Sequence, residues 1–201
     1  FGYIGVTNDY IIKDWYGKIM PCFQVPYTFL RVKTRKDPNN LGEVKRIFTY
    51  YRYAPRNAPE LIYGVAKELK KLYPSITTYF VGGYAPGNYG ISLGWVSTEE
   101  LLRIYEESDV CLYFMFNIHS GIIPWECMDA GSVVITNRKL NKHPYLIHEY
   151  NSLIVNPTVN SILKAINTII KNKELRKSLV INGYKTVDSY INEAQAVWEK
   201  F

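Results

Sequence analysis

From residue 43 onward, apolar positions alternate between two rhythms. Short runs rich in β-branched and aromatic residues, at 46–51, 77–81, 91–93, 109–116, 132–136 and 152–155, read as strands. The run at 109–116 is almost wholly apolar, as expected of a strand buried on both faces of a parallel sheet. Between the runs the period changes to that of a helix. Leu61, Val65, Leu69 and Leu72 share one face of a helix that Asn57 and Glu60 open as a capping box and Pro74 ends. Ser97 and Glu100 cap a second helix over 98–107, with Leu101, Leu102 and Tyr105 turned inward. Helices at 161–171, 173–183 and 190–200 complete the chain. Ahead of residue 43 the reading is a short strand and turn at 3–8, a helix at 9–16 and an extended stretch at 22–26, punctuated by Pro21, Pro26 and Pro38.

Strand and helix thus alternate at least four times, which predicts an α/β fold: a Rossmann-like parallel sheet with helices on both faces. Ligands of such sheets bind outside the carboxyl ends of the strands. Three loops fall there, at 52–57, 82–94 and 117–123, and are expected to converge on one crevice.

A chain of 201 residues that is 47% hydrophobic can bury one full core. The net charge of +6 favours an anionic partner, but the basic residues are spread through 31–46, 67–71 and 171–177. No compact basic stripe interleaved with aromatics marks a nucleic-acid surface, and a phosphorylated small molecule fits better. Three cysteines, Cys22, Cys111 and Cys127, give no disulfide framework and point to a reducing, cytoplasmic compartment. Apolar runs end at about nine residues, so no transmembrane segment is expected. Because the chain starts at Phe1, it reads as one domain of a longer polypeptide whose neighbouring domains are expected partners.

The chemistry concentrates between residues 117 and 131, where a loop leads into a short helix. Ser120, Gly121, Ile122 and Ile123 would present backbone N–H groups and the positive end of the helix dipole to phosphate. Glu126, one turn in, can accept hydrogen bonds from two neighbouring ribose hydroxyls, or it can simply complement the helix dipole. His119 can bond a sugar or phosphate oxygen, or cap the helix. Arg52 and Arg56 flank a tight Tyr-Ala-Pro link after the first regular strand. Two forked, permanently charged donors suit a diphosphate, although surface solubility is an equal reading. Trp95 and Val96 follow Gly94 at a strand end, where backbone amides and an aromatic edge can meet a base, although core packing is the commoner role of any one Trp. His143 and His148 read as surface residues. No Asp-x-Asp occurs, so no carboxylate pair is evident for Mg²⁺, and no metal or other cofactor is expected.

In order and spacing these pieces resemble the nucleotide-sugar-binding C-terminal half of retaining GT-B glycosyltransferases, from about Glu43 to Phe201. The pieces are Arg52 with Arg56, the turn at Gly82-Gly83, Leu93-Gly94-Trp95-Val96-Ser97, the run 105–110, Glu126-Cys127-Met128-Asp129-Ala130-Gly131 and Asn151-Ser152-Leu153-Ile154-Val155. The resemblance implies that Arg52 and Arg56 hold the diphosphate and that Glu126 binds the ribose. It also implies that the Trp95-Val96 segment, with Gly83 nearby, meets the base of a UDP-linked or related donor. The family's acidic sugar contact, eight positions before Glu126, is replaced by Ile118. His119 instead matches a histidine of bacterial rhamnosyltransferases, which implies an L-rhamnose donor. The chain is similar, too, to the middle, rhamnose-transferring domain of multidomain glycan-building enzymes of large algal viruses. Residues 1–42 resemble the close of the partner half, packed on a main domain at 43–201. The activity so implied is metal-independent transfer of a sugar to a glycan acceptor with retention. The rivals are a nucleotide-sugar epimerase and a binding module without turnover; a flavodoxin-like signalling domain is more distant.

Overall fold

The computed structural model describes residues 4–6, 22–24, 29–116, 121–137 and 145–199, the first two stretches by their backbone alone. The chain divides into two compact units, one of residues 1–29 with 188–201 and one of residues 30–187. In the smaller unit, β1 (Ile4–Val6) and β2 (Cys22–Gln24) pair in parallel. The helix expected at 9–16 lies outside the described residues.

The larger unit is built on β3 (Arg46–Tyr50), β4 (Thr77–Val81), β5 (Ile91–Gly94), β6 (Val110–Tyr113), β7 (Val133–Asn137) and β8 (Ser152–Val155). These form one six-stranded sheet in the order β5-β4-β3-β6-β7-β8, parallel at every pairing. The chain builds outward from β3 in one direction and from β6 in the other, so the topological switch point lies between β3 and β6. Central strands are buried on both faces; Ile47, Val110, Val134 and Ile135 have no exposed surface. Such side chains each contribute roughly 1.5–3 kcal/mol on burial. The helices are α1 (Pro59–Leu72), α2 (Thr98–Glu107), α3 (Ile123–Asp129), α4 (Val159–Lys171) and α5 (Lys173–Trp198).

Three expectations about helices need correction. The capping box at Asn57 and Glu60 does not form, because Pro59 opens α1 and the cap is Ala58, a left-handed alanine at φ 49°. The Asn57 carboxamide is buried without a hydrogen-bond partner among the described residues. The inward face of α1 is Ile62, Val65, Ala66 and Leu69, while Leu72 in its last turn is 60% exposed. Finally, 173–183 and 190–200 are not separate helices. One helix runs through Gly183, whose backbone does not enter the left-handed region. Among the described residues, no helix is long and apolar enough to cross a membrane.

The compact sheet unit begins at Leu30, ahead of the residue 43 at which the regular alternation of strand and helix starts. Carboxylates of the sheet unit draw residues 30–42 onto it. Asp129, fully buried, accepts from Arg31 Nε at 2.7 Å and from Arg35 Nη2 at 2.7 Å. Glu106 accepts from Lys33 N at 2.9 Å, and Lys36 Nζ donates to the Ser108 carbonyl. Part of the basic stretch at 31–46 is therefore internal counter-charge rather than a surface for an anionic partner.

Candidate functional site at the switch point

Two connections meet where the strand order reverses. After β3 the chain makes a 3₁₀ turn at Pro55–Asn57 before α1. After β6 it passes through Phe114, Met115 and Phe116. The Phe116 N–H donates to the Arg56 carbonyl at 2.7 Å, stitching the two connections across the switch point. Asn137, at the end of β7, holds the second connection from the other side. Its side chain accepts from Met115 N at 3.2 Å and donates to Met115 O at 3.1 Å, replacing a strand neighbour. Nothing in the sequence singled out Asn137, since an amide at a strand end is commonplace.

Arg52 and Arg56 both stand exposed on the first connection. Neither guanidinium has a carboxylate partner among the described residues. This contrasts with Arg31, Arg35, Arg46, Arg103 and Arg176, each of which is ion-paired. The Arg52 guanidinium lies 5.6 Å from the centre of the Trp95 ring. Trp95 itself is 72% exposed, as is much of Tyr53 and Tyr84 on the neighbouring strand ends. The loops at 52–57 and 82–94 are thus brought together.

Gly83 sits between them, so close to the backbone that a Cβ would come 2.8 Å from Tyr51 O. Val96 is half-buried beyond Trp95. His119 and Ser120 lie outside the described residues, as does His143. His148 is exposed, its Nδ1 accepting from Ile154 N at 3.0 Å.

The amino end of α3 is narrower than expected as an amide cradle. Pro124 has no N–H, and the Trp125 and Glu126 amides both donate to Ile122 O, at 3.0 and 3.1 Å. Within the first helical turn, that bonding leaves only the Ile123 amide aside. Gly121 enters the helix at φ +69°, and a Cβ there would collide with the Tyr113 hydroxyl. Gly121→Ala is accordingly expected to cost about 1–3 kcal/mol, through strain and a displaced Tyr113. Urea denaturation checks this; a midpoint equal to wild type would contradict the geometry.

Glu126 is 1% exposed, with both oxygens engaged. Oε1 accepts from Leu30 N at 3.0 Å and Oε2 from the Tyr105 hydroxyl at 2.9 Å. Burial raises its pKa above the ordinary 4.5, against the lowering effect of these two bonds. The carboxylate thus already ties the entry of the sheet unit to α2 and α3, a role the sequence did not reveal. Behind it, Cys111 and Cys127 are buried free thiols. Among the described residues, no three His, Cys, Asp or Glu side chains gather as metal ligands.

Residues 45–167 match the family described as WsaF, C-terminal domain. The chain is 32% identical over 166 residues to the O-antigen biosynthesis protein RfbC of Myxococcus xanthus, covering 79% of this chain and 13% of that protein. Among solved structures, the C-terminal domain of the glycosyl transferase group 1 family protein LpcC from Francisella tularensis is similar at a TM-score of 0.66. Its identity is 17%, with 80% of this chain and 94% of that one covered. The HepE protein of Anabaena, solved in complex with UDP-glucose, gives a TM-score of 0.74 at 12% identity, covering 98% of this chain and 63% of that one. At such identities the structural likeness speaks for the fold, and the family match for descent. The chain belongs to the WsaF C-terminal domain family, the C-terminal half of GT-B glycosyltransferases.

Proposed function

We propose that this chain binds a nucleoside diphosphate sugar over the switch point. Within a longer polypeptide, it would transfer the sugar to a glycan acceptor with retention of configuration. The supporting observation is the pair Arg52 and Arg56: exposed, without carboxylate partners among the described residues, and placed where parallel sheets receive ligands. As the donor's glycosidic bond breaks, negative charge grows on the departing diphosphate. Forked donors that bind this charge more tightly in the transition state accelerate the step. In this reading the two arginines neutralise the diphosphate without a metal, and the departing diphosphate itself helps deprotonate the acceptor. The resemblance gives His119, Ser120 and the Gly121-Ile122-Ile123 segment the role of binding the sugar and phosphate. The base meets the backbone of Trp95 and Val96 beside Gly83. Glu126 reaches the ribose by exchanging the Leu30 amide for a hydroxyl. The name of the O-antigen relative favours a bacterial-type glycan sugar, and Ile118 in place of the acidic contact, with His119 beside it, favours L-rhamnose.

A second reading, a binding module that depends on another domain for turnover, is favoured by two observations. The chain spans 13% of that relative, and the family match is to a C-terminal domain.

The test is incubation with UDP-, dTDP- and GDP-linked sugars, with and without glycan acceptor, following thermal stabilisation and nucleotide release. At least one donor should stabilise the chain, and Arg52→Ala should slow release by about ten- to a hundredfold, the worth of one charge-assisted bond. Indifference to every donor would refute the proposal. Stabilisation without release, in the full polypeptide as well, would favour the binding module.

A further inference from the structure

The contact between Arg52 and Trp95 joins residues from strands that are not neighbours. β4 lies between β3 and β5, so their ends stand roughly 9–10 Å apart. Three features of the backbone make the contact possible. β4 is followed directly by Gly82-Gly83, which leaves no side chain standing between the two strand ends. The β4–β5 register slips between Phe80 and Val81, and the Gly82 N–H donates to Gly94 O at 2.7 Å, closing the slip. Gly94 then takes a left-handed conformation at φ +62° immediately before Trp95, with the Tyr84 ring against it. Irregularities of this type re-aim the side chain that follows them.

The contact contributes little to folding, because both partners are exposed; a cation–π pair at such a site is worth about 0.5–1 kcal/mol. What it can do is restrict a long side chain that would otherwise lose rotamer freedom on binding an anion. Resting on the proposed donor reading, we propose that Trp95 is a positioning residue: its indole holds the Arg52 guanidinium ready for the donor's diphosphate. Trp95 therefore acts through Arg52, and the donor's base is held by the neighbouring backbone rather than by the indole face.

A double-mutant cycle read by calorimetric titration separates these roles. UDP, dTDP and GDP are each titrated, and the tightest ligand is carried through the cycle. Trp95→Leu should weaken nucleotide binding about two- to fivefold in the wild-type background and leave it unchanged in Arg52→Ala. Trp95→Phe should restore most of the loss, since a ring face is what the guanidinium needs. An equal loss in both backgrounds would assign the indole to the base and overturn the positioning role alone. No loss in the wild-type background would overturn it as well. A wild-type chain that binds none of the three nucleotides would overturn the donor reading, and this inference with it.

Discussion

Asp109→Ala should unfold the sheet unit far more readily than wild type, lowering stability by about 3–5 kcal/mol. Asp109 stands where α2 leads into β6 and serves three elements at once. Oδ2 accepts from Lys45 N at 2.8 Å and Arg46 N at 3.0 Å, fixing the start of β3 beside the start of β6. Oδ1 accepts from Arg176 Nη2 at 2.8 Å, and Arg176, 3% exposed, also donates to the carbonyls of Leu41 and Gly42. Removing the carboxylate leaves a buried guanidinium without counter-charge and the Lys45 and Arg46 amides, at the entry to β3, without acceptors. The charge should be the larger part. Adding Arg176→Met to Asp109→Ala is therefore expected to recover a good fraction of the loss, whatever Arg176→Met costs alone. Urea midpoints of the four proteins measure this directly. Additive losses would mean that the two side chains do not depend on each other.

Glu126→Ala should cost about 2–4 kcal/mol, even though its proposed partner is a ligand. The Leu30 amide and the Tyr105 hydroxyl both lose their acceptor inside the protein, and burial prevents water from replacing it. Glu126→Gln keeps the shape and exposes a pH signature. Burial raises the folded-state pKa of Glu126 above its ordinary 4.5. The folded protein therefore holds this proton where the unfolded chain has already released it. The stability this contributes is complete below the unfolded pKa, declines as pH rises toward the folded pKa, and is gone above it. In Glu126→Gln that part of the decline should vanish. Chemical denaturation across mildly acidic pH tests the sign; identical pH slopes for wild type and Glu126→Gln would show that the side chain titrates alike in both states. The same variant bears on the donor reading. A carboxamide at this position can still meet one ribose hydroxyl, so donor stabilisation should weaken in Glu126→Gln and be lost in Glu126→Ala.

The two carboxylates illustrate what could and could not be read from the chain. Glu126 stood out because its neighbours form a recognisable run, 126–131, between two apolar strands. That it is already bonded to Leu30 did not, because the partner is 96 residues away. Asp109 read simply as the first residue of an apolar strand. Its importance arises from Arg176, 67 residues on, in a helix whose own pattern is weak. Arg52 and Arg56 were legible as a pair through local spacing, whereas the arrival of Trp95 beside Arg52 depends on β5 lying two strands away and on two glycines between. Likewise, Ser97 was correctly read as the cap of α2, its Oγ accepting from Glu100 N at 3.2 Å, whereas Asn57 was not a cap. The difference is the residue that follows Asn57: Ala58 takes a left-handed backbone and Pro59 starts the helix in its place.

By itself the sequence determined which segments are strands, where the helices between them lie and that the sheet is parallel. Each of those follows from the spacing of apolar residues within a few turns or a few alternations. It also determined which loops share the carboxyl edge. Only the tertiary structure decided the strand order that puts the switch point between β3 and β6, and the attachment of residues 30–42 to the sheet. It alone decided which arginines are spent on internal carboxylates and that, among the described residues, Arg52 and Arg56 stay without such partners. Those choices depend on charges and amides brought together from distant parts of the chain, where burial makes an unpaired group costly enough to select one partner over another.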